Sequence, residues 1–251
     1  MDPQITLIVI GAVVAGFIQG LSVFGFSMVA MSFWAWSVDP KLAAVMAVFG
    51  GLTGQVMAAL TVTRKADWKR LLPFVAGGLL GLPLGLLLLP QLDIHWFKVF
   101  LGVVLAVFCP AMLFAAQLPR VTHGGRIADG TAGLAGGVLG GLGGFSGVIP
   151  TLWCTLRGYA KDDQRAIVQN FNLATLATTM AAYVATGLVT RQTLPMLAIV
   201  GPAMLIPAWL GGRVYTGTSD IAFRRIVLGL LTLSGIAMLA SSLPVIIRRL
   251  A

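Results

Sequence analysis

Two serines stand at matching places in this chain. Ser27 closes "GFS" at 25–27 and Ser146 closes "GFS" at 144–146, each inside a run apolar enough for a membrane interior. Glycine costs about 1 kcal/mol per residue against alanine in a helix. Hydrocarbon also offers no water to the backbone groups that a broken helix releases. The chemistry open to such a break is anion binding, because a restarting helix exposes N–H groups and the positive end of its dipole. "GGFSG" at 143–147, followed by Pro150, reads as such a restart, with Ser146 adding a hydroxyl donor and Phe145 excluding water. "FGFS" at 24–27 supplies a second. Gly25, Phe26, Ser27, Gly144, Phe145, Ser146 and Gly147 are therefore candidate binding residues.

Further polar groups fall within apolar surroundings. In "DDQRAIVQNFNLAT", Arg165, Gln169 and Asn172 lie at i, i+4 and i+7 on one helical face. Gln19 and Gln55 join them as candidate lining residues, since polar groups within a bundle face cavities or partners. Plainer roles are open for several: Arg165 as an interfacial anchor beside Asp162 and Asp163, and Gln19 as a helix-packing hydrogen bond. The glycines at 133, 137 and 141, and at 136, 140 and 144, form stripes that let another backbone come close.

What the chain lacks narrows its chemistry. It has no glutamate, and its eight acidic residues are all aspartates, each at a predicted helix end or connection. His95 and His123 also fall near boundaries. No carboxylate pair, metal-ligand cluster, phosphate-binding loop or nucleophile triad appears, so neither enzyme, cofactor nor metal is expected. Cys109 and Cys154 sit in apolar segments and read as packing residues. Without an intramembrane carboxylate, transport of a fully ionised substrate should depend only weakly on pH.

The elements that must position these groups are membrane spans. The 251 residues are 58% hydrophobic and only 10% charged, against about 25% charged in a soluble domain. Runs of roughly 20 apolar residues recur, each able to cross the bilayer core. The formal charge of +9 sits mainly at span ends, where lipid contact and orientation explain it without nucleic acid. The start, "MDPQITLIVIG", has no basic n-region or cleavage site and reads as a retained first span. The expected class is an all-α polytopic membrane protein of the bacterial inner membrane, one domain over 1–251.

Apolar segments fall at about 4–36, 41–63, 71–90, 95–117, 129–157, 166–190, 193–212 and 222–247, eight in all. The first and fifth are too long for one upright helix. "GFSMVAMSFW" at 25–34 aligns with "GFSGVIPTLW" at 144–153, and "AVMAVF" at 44–49 falls opposite "AIVQNF" at 166–171. Two repeats follow, about 4–117 and 129–247. Eight plain crossings would divide the 17 basic residues almost evenly. If the first and fifth segments are re-entrant or broken-helix hairpins, each followed by three spans, the halves become inverted copies. Twelve of the 17 basic residues then share one side. Both arrangements remain open on the sequence.

The paired openings "GFIQGLSVFGFS" and "GLAGGVLGGLGGFSGVIP", with "WCTLRGYAKDDQRAIVQNFN" after the second, resemble the sulfite exporter TauE/SafE family of small bacterial membrane proteins. The resemblance spans essentially the whole chain. It implies a secondary transporter for a small sulfur-containing anion such as sulfite, sulfoacetate or a related organosulfonate. The first copy departs from the glycine-rich pattern, with Ser22, Val23 and Phe24 where the second has Gly141, Leu142 and Gly143. A passive anion channel and a non-transporting membrane assembly factor are the competing readings. The partners expected are the anion and the bilayer.

Overall fold

The computed structural model describes residues 3–22, 25–61, 67–117, 119–214 and 220–250, and their regular structure is entirely helical. Phe24 and residues 64–66 of the "RKADWKR" connection lie outside the described residues, as do the side chains of Asp220 and Arg224. Five helices come from the first half: α1 (Pro3–Leu21), α2 (Phe26–Trp34), α3 (Pro40–Thr61), α4 (Trp68–Leu88) and α5 (Ile94–Phe114). Five come from the second: α6 (Gly125–Gly143), α7 (Val148–Leu156), α8 (Lys161–Ala185), α9 (Leu194–Val214) and α10 (Asp220–Leu250). The two long apolar segments are each split in the same way, into a helix of 19 residues and one of 9.

Six helices are long and apolar enough to cross a membrane: α1, α3, α4, α5, α9 and α10. The eight expected segments therefore reduce to six by this measure. α6 falls short because glycine is only weakly apolar and Arg126 and Asp129 lie in it. α8 falls short because it opens with Lys161, Asp162, Asp163 and Arg165 and buries Gln169, Asn172, Thr175 and Thr179 further along. α6 also begins at Gly125, four residues ahead of the expected start.

Several helix starts are set by the boundary aspartates. Asp39 Oδ1 accepts from the Lys41 and Leu42 N–H groups, Asp67 from Lys69, and Asp93 from His95 and Trp96. Each satisfies N–H donors that an α-helix leaves open at its first turn.

Helix pairing is governed by glycine. A Cβ added at Gly77, Gly81 or Gly85 of α4 would collide with the carbonyl oxygens of Gly130, Leu134 and Val138 of α6. Gly133 and Gly137 of α6 meet the carbonyls of Phe74 and Gly78 in return. The numbers rise together, so α4 and α6 run parallel. α1 and α9 do the same, with Gly16 against Met204 and Gly20 against Ala208. α5 and α10 run antiparallel: Gly102 packs on Gly235 and Leu239, and Arg249 Nη1 lies 2.7 Å from Asp93 Oδ2. At one end of the bundle Arg70 pairs with Asp163 at 3.2 Å. At the other, the Lys98 ammonium lies 4.9 Å from the Trp36 ring centroid.

The Trp96 N–H bonded to Asp93, followed by the Arg249 guanidinium, holds this carboxyl below its ordinary range. Its contribution to stability is therefore complete above the usual carboxylate pKa and lost as pH falls through the lowered folded value. Both groups of the pair are about half exposed, so the ion pair itself adds little and the cap dominates. Asp93→Ala should lower stability by about 1 kcal/mol at neutral pH, while Asp93→Asn keeps most of the cap. Thermal unfolding in detergent over a pH series checks this, and both variants should flatten the acid limb of the profile.

Candidate functional site

The second break is built on Gly144, whose φ of +77° ends α6 in the left-handed region. Its N–H bonds the Gly140 carbonyl at 2.8 Å, and the Phe145 N–H reaches back to Leu139 at 3.3 Å, closing the helix end. The chain then turns at Ser146 and Gly147 and restarts as α7, with the Val148 N–H on the Phe145 carbonyl at 3.1 Å. The first break uses Gly25 at φ +130° before α2. Here Gln19 Oε1 accepts from the Phe26 N–H at 3.2 Å, capping the new helix from the old one.

The two breaks touch. Ser27 Oγ donates to the Gly144 carbonyl at 2.9 Å, a bond between residues 117 apart in sequence. A Cβ at Gly144 would sit 2.6 Å from that Oγ, so this position needs glycine for both its φ and its neighbour. Ser146 Oγ donates to Asn172 Oδ1 at 2.9 Å. Both hydroxyl hydrogens expected to serve an anion are thus engaged within the protein.

A cavity lined mostly by buried residues lies where these groups meet. Gln19, Gly25, Phe26, Ser27 and Gln55 line it from the first half, and Gly144 to Gly147 with Asn172 from the second. About 20 Å³ of it is open to the centres of water molecules, enough for one or two waters. The sequence reading missed Met28, Gly51, Val148 and Leu176, which complete the wall. Leu176 was recoverable, being four residues past Asn172 on the same face of α8.

Two expected residues are not brought into this wall. Arg165 sits seven residues before Asn172, roughly 10 Å along α8, towards the end marked by the Arg70–Asp163 pair. Gln169 is buried at 4% exposure outside the lining. Its Oε1 has no hydrogen-bond partner among the described residues.

The expectation that every aspartate lies at a boundary is corrected at Asp129. Because α6 starts at Gly125, Asp129 is a full turn inside it and only 4% exposed. Trp153 Nε1 of α7 donates to its Oδ1 at 2.7 Å, and Arg157 Nε lies 3.8 Å away. Arg157 also donates to the Thr122 and His123 carbonyls, and its guanidinium lies near the rings of Trp153 and Tyr159. Arg70 reaches the other part of this cluster, 5.3 Å from the Tyr159 ring centroid. The signal missed was the Trp-Asp pair, 24 residues apart. Cys109 and Cys154 are buried free thiols, as expected.

The model of the sulfite exporter TauE/SafE family matches residues 8–238. The chain belongs to this family. Both breaks, the cavity and all of α8 lie inside the matched range of this TauE/SafE protein. Comparisons with curated proteins and with solved structures returned no match. TauE/SafE is a membrane transporter family for sulfite and related anions, and six apolar helices fit a multi-pass membrane protein. For the Asp129 cluster, Asp129→Ala removes the acceptor of the partly buried Trp153 indole N–H and the carboxylate partner of Arg157, and should cost about 2 kcal/mol. Asp129→Asn keeps an acceptor for Trp153 and should cost clearly less. Thermal unfolding of the two variants checks the order.

Proposed function

We propose that the chain is a secondary transporter carrying a small sulfur-containing anion, such as sulfite, sulfoacetate or a related organosulfonate, across the bacterial inner membrane. The observation that carries this reading is the Ser27–Gly144 hydrogen bond at one buried cavity. It joins the restarted helix of the first half to the break of the second, in a member of a sulfite-exporter family.

The same reading takes the halves as inverted copies, each a helical hairpin followed by three spans. Trp34, at the end of α2, donates to the Ile8 carbonyl near the start of α1. Trp153, late in α7, donates to Asp129, early in α6. Both contacts fit short helices that turn back along their predecessors. A two-fold operation that exchanges the antiparallel helices α5 and α10 has its axis across them, which favours inversion. The connections at 62–67, 118–124, 157–160 and 215–219 then fall on one side with most of the basic residues, and the positive-inside rule makes that side cytoplasmic.

Anion binding at this cavity uses the first-turn N–H groups of α2 and α7 beyond those of Phe26 and Val148, which are already bonded, and Pro150, which has none; both N-cap residues are glycine. Asn172 adds amide donors. The cavity holds only one or two waters, so a sulfur oxyanion enters when α2 and α7 separate. Ser27 Oγ then exchanges the Gly144 carbonyl for the anion. Closure around the ion, followed by opening to the opposite side, is the alternating access common to carriers with inverted repeats.

Two predictions follow from this geometry. Ser146→Ala removes a donor worth roughly 1–2 kcal/mol if charge-assisted, a loss of about 5- to 30-fold in affinity. Gly144→Leu should abolish transport, because the side chain meets Ser27 and the φ is unfavourable. Sulfite or sulfonate flux in proteoliposomes, with saturation and counterflow, measures both and separates a carrier from a channel. Wild-type transport in both variants would remove the site. For topology, single cysteines at Asp67 and Ala160 should be labelled from the same face of the membrane, and labelling from opposite faces would end the hairpin arrangement.

A further inference from the structure

We infer that the cavity takes its anion singly charged, as hydrogensulfite or a monoanionic sulfonate, and rejects dianions such as sulfate. This deepens the transport reading and rests on it, and it removes sulfoacetate, whose sulfonate and carboxylate are both ionised at neutral pH, from the candidate substrates. The ground is the chemistry of the wall. Its polar side chains are Gln19, Ser27, Gln55, Ser146 and Asn172, and among the described residues no ionisable side chain lines it.

The positive potential available is therefore that of the backbone and of neutral dipoles. A helix N-terminus is equivalent to roughly half an elementary charge, so two of them supply about one. That balances a monoanion. A dianion would leave about one charge without a counterpart beside Phe26, Met28, Phe145, Val148 and Leu176, where an uncompensated charge is costly.

The nearest candidates to supply a second positive charge are placed elsewhere. Arg165, on the cavity-facing side of α8, is outside the wall. Arg157 is held at Asp129, Trp153 and the carbonyls of Thr122 and His123. Arg70 is occupied by Asp67 and Asp163. A neutral solute gains least from the two N-termini. The arrangement selects on charge number rather than on the identity of the sulfur compound.

The test uses the purified full chain in detergent and three probes whose charges differ. Methanesulfonate is a monoanion at every working pH, sulfate is a dianion, and sulfite passes from hydrogensulfite to the dianion near neutrality. Binding is measured calorimetrically one pH unit below and one above neutrality. Methanesulfonate should bind equally at both. Sulfate should bind at least about tenfold more weakly, a difference of roughly 1.4 kcal/mol. The apparent affinity for total sulfite should fall as pH rises, following the hydrogensulfite fraction. Sulfate binding as tightly as methanesulfonate, or sulfite affinity constant or rising with pH, overturns the inference and leaves the transport reading standing. Binding of none of the three, with no flux in proteoliposomes, overturns both. Leu176→Lys, which adds a cation to the wall, should bring sulfate affinity up towards that of methanesulfonate. A folded Leu176→Lys protein that still rejects sulfate shows that charge is not the filter, and if this variant does not fold the wild-type comparison decides alone.

Discussion

A backbone inside hydrocarbon has to satisfy its own polar groups, and this structure breaks two helices under that constraint. The breaks are tolerated in part because several of the freed groups are met by protein. At Gly144 the α6 carbonyls of Gly140 and Leu139 take the next two N–H groups. The Gly144 carbonyl takes the Ser27 hydroxyl. At Gly25 the first N–H of α2 is taken by Gln19. The first break thus helps to satisfy the second through Ser27, and the cavity lies where the two meet.

Holding the breaks there is the work of close-packed glycines. Lipid tails give no hydrophobic drive for helices to associate, so contact has to come from backbones that approach closely. α6 is gripped by Gly77, Gly81 and Gly85 of α4, and α1 by the backbone of α9 at Met204 and Ala208. In each case the arm bearing the break belongs to one half and the helix gripping it to the other. Neither half builds its own seat. A displacement of α4 therefore carries α6 with it, and with α6 the Gly144 carbonyl that Ser27 holds.

The pattern of residues made a good part of this legible. The Gly-Phe-Ser repeats located both breaks to within a residue or two, because clustered glycine followed by serine has few other uses in an apolar run. Asn172 and Gln55 were found because buried polarity in a membrane demands a partner. Depth along an axis was harder. The i, i+4, i+7 spacing put Arg165 and Asn172 on one face but said nothing of the two turns between them, which carry Arg165 out of the cavity's reach. Asp129 was misread for a related reason: its burial depends on Trp153 and Arg157 arriving from α7, a tertiary fact that no local window contains. The glycine and polar content of α6 and α8 also hid from a segment count that only six helices are plainly apolar spans.

The two half-sites are not equivalent, and the difference gives the cavity a direction. In the alignment that sets Phe49 opposite Phe171, Asn172 falls opposite Gly50. At Gly50 a Cβ would collide with the Phe26 ring, so this position holds no side chain where the second half has the Asn172 amide. In the second half the equivalent phenylalanine, Phe145, packs edge-on against Phe100 of α5 at 6.1 Å between centroids. An asparagine stands where the first half has glycine. Ser146 accordingly bonds a side chain of its own half, while Ser27 bonds a backbone carbonyl of the other. The Ser146–Asn172 bond ties the second break to α8 within one half. The Ser27–Gly144 bond spans the halves, joining α2 to the end of α6. On the transport reading proposed above, an anion seated against Asn172 would compete with the Gly144 carbonyl for the Ser27 hydroxyl, and that exchange would couple occupancy to the contact between the halves.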